Sequence, residues 1–156
     1  RMPIEVIDST NVKIVEKPWG WEKWIQPGNE VYPFSLKQLL LRAGQRTSLQ
    51  VHQHKSESII MLEGTGTLLT YPEFFDCELY LNGEYSQNVI DYIINNLTSI
   101  PLIPGLIFHT PPGTVHRMVA DTDLLYIEAS TTQLDDVVRL QDDQKRDHGR
   151  IASEHK

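Results

Sequence analysis

Short apolar segments alternate with turn residues along most of the chain. Gly or Pro recurs at close intervals between segments rich in Val, Ile, Leu, Tyr and Thr, which is the rhythm of an all-β barrel or sandwich. The run from Ile59 to Leu62, ended by Gly64, has the composition of a buried strand. The whole pattern predicts strands over residues 35–42, 47–54, 57–63, 66–71, 106–109, 115–120 and 123–130.

A different periodicity interrupts this rhythm. Apolar side chains recur at helical spacing at Val89, Ile90, Ile93, Ile94 and Leu97. Ser86 precedes them and is suited to cap a helix. Residues 72–100 are therefore interpreted as an insertion that carries a short helix. Because its many aromatic and aliphatic groups must cover something apolar, we expect the insertion to form either a dimer contact or a lid over the barrel pocket.

The two ends of the chain differ in character. Residues 134–156 are polar and charged, which is typical of a solvated helix or terminal arm. Near the other end, three tryptophans predict either an N-terminal arm packed across the barrel or a platform for a sugar, at Trp19, Trp21 and Trp24. A length of 156 residues suits one sizeable core. We therefore predict a single domain over 1–156 with a barrel core at about 33–131.

Composition narrows the class of protein. A net charge of −7 and a pI near 5.3 argue against a broad nucleic-acid-binding surface. No apolar stretch approaches the roughly 18 residues that a membrane span needs, so we expect no membrane partner. The single cysteine, Cys77, excludes an internal disulfide and fits a cytoplasmic chain.

Imidazole and carboxylate side chains concentrate in two segments. In the first, Gln50, His52 and His54 alternate with other residues, so they share one face if the segment is a strand, and Glu57 follows. In the second, a Pro-Pro-Gly turn precedes His116 at the start of a predicted strand. When such groups are buried together they need hydrogen-bond partners or a cation. One divalent metal ion is therefore predicted, and the ligand types suit Zn, Mn, Fe, Ni or Co.

The spacing of glycines and ligand residues in 44–64 and 105–116 resembles the two signature motifs of the cupin superfamily. This resemblance implies a double-stranded β-helix, the cupin jelly-roll barrel. It places Gln50 at the first ligand position, where His is usual, and a Gln there resembles what phosphomannose isomerases use. The implied metal ligands are His52, Glu57 and His116, with Gln50 and His54 competing for a fourth place.

Four longer segments match a narrower family, over residues 15–24, 41–54, 111–118 and 126–146. They resemble mannose-6-phosphate isomerase, type II, which also forms the C-terminal domain of bifunctional mannose-1-phosphate guanylyltransferases. The resemblance implies an enzyme that interconverts an aldose and a ketose, such as mannose 6-phosphate and its ketose, through a metal-stabilised enediolate. The alternative is a cupin without isomerase activity, either a sugar-binding or regulatory module or an Fe(II) oxygenase.

The resemblance also implies roles for individual residues. A base must carry a proton between adjacent carbons, and the candidates are His54, if Gln50 holds the metal, and Glu57, if it is loosely bound. Basic positions that match the family and could receive a phosphate are Lys37, Arg46 and Arg117. For the two arginines, ion pairs on the rim are the alternative. The expected partners are a small sugar or sugar phosphate and a second copy of the chain, as a homodimer.

Overall fold

Two six-stranded antiparallel sheets enclose the core of the protein in a computed structural model that describes residues 3–133, 135–141 and the backbone of 149–150. Strands are numbered in chain order. The first sheet has the spatial order β1 (Lys13–Lys17), β2 (Gly20–Gln26), β3 (Ser35–Leu41), β10 (Leu124–Ser130), β5 (Glu57–Glu63) and β8 (Ile107–Thr110). The second has the order β12 (Gly149–Arg150), β11 (Val138–Gln141), β4 (Leu49–Val51), β9 (His116–Ala120), β6 (Gly66–Thr70) and β7 (Thr98–Leu102).

Alternation of side chains decides which residues reach the interior. In β3, the odd-numbered residues from Ser35 to Leu41 are buried, whereas the intervening ones are half-buried. Apolar side chains from both sheets pack at one end of the barrel interior, and they include Leu39, Leu41, Ile59, Met61, Leu68, Leu102, Met118, Leu124 and Tyr126. Towards the other end the inward residues become polar. The prediction of an all-β barrel is confirmed.

The turn after β5 depends on a glycine. Gly64 has a φ of +91°, and a Cβ at this position would lie 2.0 Å from the backbone oxygen of Asp123. Any side chain would therefore both strain the backbone and collide with the neighbouring strand. This turn passes the chain from β5 in the first sheet to β6 in the second.

The insertion folds as two short helices, α1 (Cys77–Leu81) and α2 (Gln87–Asn95). Ser86 caps α2 as predicted, because its side chain accepts a hydrogen bond from the backbone N–H of Val89. The buried side chains of the insertion pack on the outer face of the second sheet, where they meet Leu49, Val51, Val115, Val138 and Leu140. The predicted insertion is too long, since its last residues belong to β7 at the edge of that sheet.

Several predictions about the chain ends need correction. The prediction of a solvated tail is wrong for residues 135–141, because Asp136 to Leu140 are buried and β11 pairs with β4. The rest of the predicted tail, at residues 134, 142–148 and 151–156, lies outside the described residues. The N-terminal region forms β1 and β2, which were not predicted as strands. Trp19 and Trp24 are buried, which agrees with packing against the barrel. No helix in the described parts of the chain has the length and apolarity needed to cross a membrane.

Candidate metal centre

Three buried side chains converge at the polar end of the barrel interior. His52 follows the last residue of β4, Glu57 begins β5 and His116 begins β9, so both sheets contribute. One ligand atom from each residue lies within 4.8 Å of the others. The Nε2 atom of His52 is 2.6 Å from Oε1 of Glu57, and the Nε2 atom of His116 is 3.9 Å from the same oxygen.

Backbone carbonyls determine which ring nitrogens face the centre. Nδ1 of His52 is 2.5 Å from the carbonyl oxygen of Asp136, and Nδ1 of His116 is 2.9 Å from that of Thr114. Because a carbonyl only accepts, each Nδ1 is assigned the proton and each Nε2 presents a lone pair to the centre. Burial lowers the pKa of His116 to about 4 despite the opposing charge of Glu57, so its ring is neutral. This is how histidines that bind metals are commonly oriented.

The carboxylate completes a donor set that fits a cation. Burial raises the pKa of Glu57, but the charge of Lys55, a hydrogen bond from Glu128 and the contact with His52 outweigh burial and hold the pKa well below its ordinary value. Within the described residues, no donor meets Oε1 of Glu57 with hydrogen-bond geometry. Two lone pairs and an anionic oxygen therefore converge, and a divalent cation satisfies all three at once.

A cavity of about 70 Å³ opens beside these residues. Since one water needs roughly 10–15 Å³, the cavity holds several water molecules or the reacting end of a small ligand. Its lining includes the apolar residues Trp19, Leu39, Ile59, Phe108 and Met118. It also includes the ionisable residues Glu22, Lys37, Lys55, Glu57, Glu128 and Arg139.

These buried ionisable side chains lie in pairs. Nζ of Lys37 lies 3.1 Å from Oε1 of Glu22, and Nζ of Lys55 lies 3.7 Å from Oε2 of Glu128. Burial raises the pKa of Glu128 to about 8, with the charge of Glu57 adding to the effect, so Glu128 retains a proton that it donates to Glu57. Burial lowers the pKa of Lys55, but Glu128, Glu57 and Glu22 outweigh it and raise the pKa overall. Removing the Glu22 carboxylate would leave the buried charge of Lys37 uncompensated.

The structure distinguishes Gln50 from His54. Gln50 lines the cavity and pairs with His116 in the register of β4 and β9. His54 is exposed and is not brought to the cluster, contrary to the expectation that it shares a face with His52. The reason is that β4 ends at Val51 and the chain turns. The Asp136 carboxylate holds that turn, because it accepts hydrogen bonds from the backbone N–H groups of Gln53, His54 and Lys55 at 3.2, 2.6 and 2.9 Å.

The predicted phosphate-binding residues separate in the same way. Lys37 points into the cavity. Arg117 directly follows His116 in a strand, so it faces the opposite side of the second sheet, where it donates to the Thr47 carbonyl oxygen at 2.8 Å and to Oε1 of Gln141 at 3.0 Å. Arg46 is half-buried, its backbone forms an isolated antiparallel β-bridge with Val119, and it does not line the cavity either. The structure therefore does not bring the two arginines to the site.

Sequence reasoning missed several residues that do line the cavity. Arg139 lies on the inner face of β11 opposite Gln50, and Glu128 lies on the inner face of β10 opposite Lys37. The alternation of apolar and polar residues on either side of Arg139, at Val138 and Leu140, was the available signal. None of residues 72–100 lines the cavity, so the insertion is not a lid over it.

Residues 7–107 match the family described as "Mannose-6-phosphate isomerase C-terminal". The chain belongs to this family. The matched range contains Gln50, His52 and Glu57 but ends before His116. The structure brings His116 together with His52 and Glu57. No curated protein matches the sequence of this family member.

Solved structures show the same cupin fold. Ectoine synthase from P. lautus is similar with a TM-score of 0.60 and 14% identity, over 83% of this chain and 78% of its own. The polyketide cyclase RemF from Streptomyces resistomycificus has a TM-score of 0.58 and 14% identity, over 88% of this chain and 85% of RemF. CapF from Staphylococcus aureus has a TM-score of 0.60 and 14% identity, and the similarity covers 86% of this chain but 34% of CapF. At such identities the similarity shows the fold and not the chemistry.

Proposed function

We propose that this protein is a metal-dependent isomerase that interconverts an aldose and a ketose, with a sugar or sugar phosphate as substrate. The observation that carries the proposal is the convergence of two imidazoles and a carboxylate, with Gln50 beside them, on a cavity enclosed by the barrel. Membership of the mannose-6-phosphate isomerase C-terminal family supports the substrate class. When bound, a divalent cation supplies a Lewis acid that stabilises negative charge on a carbonyl oxygen.

The residues of the chain have distinct parts in this proposal. His52, Glu57 and His116 hold the cation, and Gln50 takes the fourth position because it, and not His54, faces the cavity. Of the two residues considered as the proton carrier, His54 lies outside the cavity, so Glu57 is the remaining candidate, on the condition that the cation binds it only loosely. Lys37 donates to substrate oxygens from within the cavity, where Glu22 positions its Nζ.

The size and lining of the cavity suit this reaction. Only the carbonyl carbon and its neighbour need to reach the centre, and a cavity of about 70 Å³ admits that end of a sugar while the rest lies towards the mouth. Apolar side chains such as Trp19 and Phe108 limit the water around the reacting atoms. Exclusion of water strengthens the interactions between the charged groups and a developing negative charge.

A second function has one specific observation in its favour. Two histidines and one carboxylate are also the ligand set of non-haem Fe(II) oxygenases, which leave positions open for oxygen. An oxygenase and an isomerase make opposite demands, since the first consumes O₂ and the second needs no co-substrate. The two functions are therefore separable by experiment.

The test follows the proton at C2. Protein loaded separately with Zn, Mn, Fe(II), Co or Ni is incubated in deuterated water with mannose 6-phosphate, fructose 6-phosphate and the two unphosphorylated sugars. We expect NMR to show loss of the C2 proton signal and conversion of one sugar into the other, with no effect in metal-stripped protein or His116→Ala. Full metal occupancy without exchange or conversion of any of the four sugars contradicts the isomerase, and O₂ consumption with Fe(II) favours the oxygenase.

A further inference from the structure

Arg139 occupies a position that the proposed function has not yet used. It lies in β11 within a segment whose sequence is typical of a solvated tail, yet its side chain is 1% exposed and lines the cavity. In the register of the second sheet Arg139 pairs with Gln50, and Gln50 pairs with His116. Since neighbouring strands lie about 4.8 Å apart, the backbone of Arg139 is roughly 10 Å from that of His116, on the same inner face.

Three cationic side chains line the cavity, those of Lys37, Lys55 and Arg139. Arg139 lies on the strand next to Gln50, in the row of residues that leads to His116. Its guanidinium differs from the two ammonium groups in shape, because its planar fork donates to two oxygens at once, whereas an ammonium acts as a point charge.

We propose that Arg139 binds the substrate directly, with its guanidinium donating to the pair of adjacent oxygens at the reacting end. This rests on the proposed function for the identity of those oxygens. When the C2 proton passes to the base, the C–H electron pair forms the new C=C bond and the carbonyl π pair moves to oxygen, which becomes negative. Arg139 stays protonated throughout and stabilises that charge. The ligand class it selects is an α-hydroxy carbonyl compound or its ionised enediol.

The experiment uses acetohydroxamate, a small anion with two adjacent oxygens, because it fits the cavity and does not depend on the identity of the sugar. Its affinity for the metal-loaded full chain is measured by titration calorimetry in wild type, Arg139→Met, Arg139→Lys and Arg46→Met. Imidazole serves as a neutral ligand of the same size. Arg46 is the matched control, since it is an arginine that pairs with Val119 of the second sheet and does not line the cavity.

We expect Arg139→Met to bind acetohydroxamate roughly tenfold to a hundredfold more weakly, the range for hydrogen bonds to charged groups. Imidazole affinity and metal content should stay as in wild type, and Arg46→Met should match wild type for both ligands. Arg139→Lys retains a buried cation without the fork, so it should fold, keep its metal and bind acetohydroxamate several-fold more weakly. If Arg139→Met does not fold, the lysine variant decides.

Three results would overturn the proposal: wild-type acetohydroxamate affinity in Arg139→Met, wild-type affinity in Arg139→Lys, or loss of metal from both variants, which would make Arg139 part of the metal centre. Failure of the isomerase proposal is distinguishable. Wild type that binds acetohydroxamate in an Arg139-dependent manner, yet exchanges no sugar proton, refutes the isomerase and leaves the anion contact intact. Proton exchange together with unaltered binding in Arg139→Met refutes only the contact.

Discussion

The two sheets of the barrel differ in what lies on their outer faces. The second sheet is covered by the insertion, whose side chains Phe75, Ile90 and Ile93 are buried against it. On the first sheet, Ile60 and Ile107 pair across β5 and β8, and they remain 38% and 58% exposed. One sheet thus has a second core behind it, whereas the other presents apolar side chains to solvent.

This difference shows how the candidate site is supported. The covered sheet positions both imidazoles, and residues next to them in the chain, Val51 and Val115, belong to the core beneath the insertion. β4 has only three residues, so it depends on that packing to hold Gln50 and His52 in place. The uncovered sheet contributes its charged residues from seven-residue strands, β3, β5 and β10, which pair with each other over most of their length.

The largest effect should come from removing a ligand on the covered sheet. We predict that His116→Ala abolishes stoichiometric metal binding, because it leaves one imidazole and one carboxylate of the three converging groups. Elemental analysis after dialysis measures the metal content. The same loss is expected for Glu57→Ala on the other sheet, since the centre needs both.

His54→Ala is the matched control for this prediction. It also removes an imidazole from the first motif, but one that is exposed and outside the cavity, so metal content should be unchanged. Gln50→Ala should weaken metal binding, as expected of a fourth ligand. Full occupancy in His116→Ala would contradict the single centre, and loss of metal in His54→Ala with retention in Gln50→Ala would reverse the assignment of the fourth position.

The next effect concerns the cover itself. Phe75 is 2% exposed and packs between Tyr80 and Tyr85, with ring centroids 5.6 and 4.9 Å away. Replacing a buried phenylalanine by alanine typically destabilises a protein by about 3–5 kcal/mol, so we expect Phe75→Ala to lower the free energy of unfolding by that amount in urea titrations. Metal affinity should fall as well if the insertion supports the ligand strands.

Phe74 offers a control one residue away. It is 74% exposed, so Phe74→Ala should change the free energy of unfolding by less than about 1 kcal/mol. Destabilised Phe75→Ala protein with wild-type metal affinity would show that the insertion stabilises the fold without positioning the ligands.

A smaller effect is predicted for Asp136, the residue that joins β11 to the ligand turn. Its carboxylate accepts three backbone hydrogen bonds and its carbonyl orients His52. Loss of such supporting contacts commonly weakens metal binding by about 10–100-fold, which is the range we expect for Asp136→Asn in metal competition titrations. Asp121→Asn, at an exposed turn, should bind metal as wild type does. Equal affinity in all three proteins would show that the turn holds without the carboxylate.

The sequence predicts the parts of this molecule whose patterns are local. Alternation and glycine spacing indicate the strands that bear His52, Glu57 and His116, and the capping serine locates α2. The motif spacing also identifies the three residues of the candidate metal centre. Each of these signals lies within about 20 residues of chain.

What the sequence could not predict depends on contacts between distant segments. His54 has the spacing of a cavity residue, but Asp136, 82 residues away, turns it outward. Arg117 is a different case, because strand alternation already places it on the opposite face from the neighbouring His116. Arg139 is surrounded by charged residues in the chain, and its place in the cavity follows from the pairing of β11 with β4. The many charged residues of that segment led to the prediction of a solvated tail, although Val137, Val138 and Leu140 are apolar.

The smallest change in stability is predicted for a substitution on the outer face of the first sheet, which the insertion does not cover. Four strands of seven residues, one of five and one of four present a face of roughly 500–600 Å², which approaches the area that one partner buries in a standard interface. Ile60 lies between Ile127 and Ile107 in the register across this face. We therefore predict that the homodimer forms through the first sheet and not through the insertion, as an isologous contact.

Ile60→Glu and Val89→Glu test this prediction as a matched pair, because both residues are about 40% exposed, one on the first sheet and one on α2 of the insertion. Sedimentation should show a dimer for wild type and Val89→Glu and a monomer for Ile60→Glu, since a two-fold axis brings like charges together on an apolar face. As a surface change, Ile60→Glu should alter the stability of the subunit by no more than about 0.5 kcal/mol. A monomeric wild type would refute the dimer, and a monomer produced only by Val89→Glu would move the interface to the insertion.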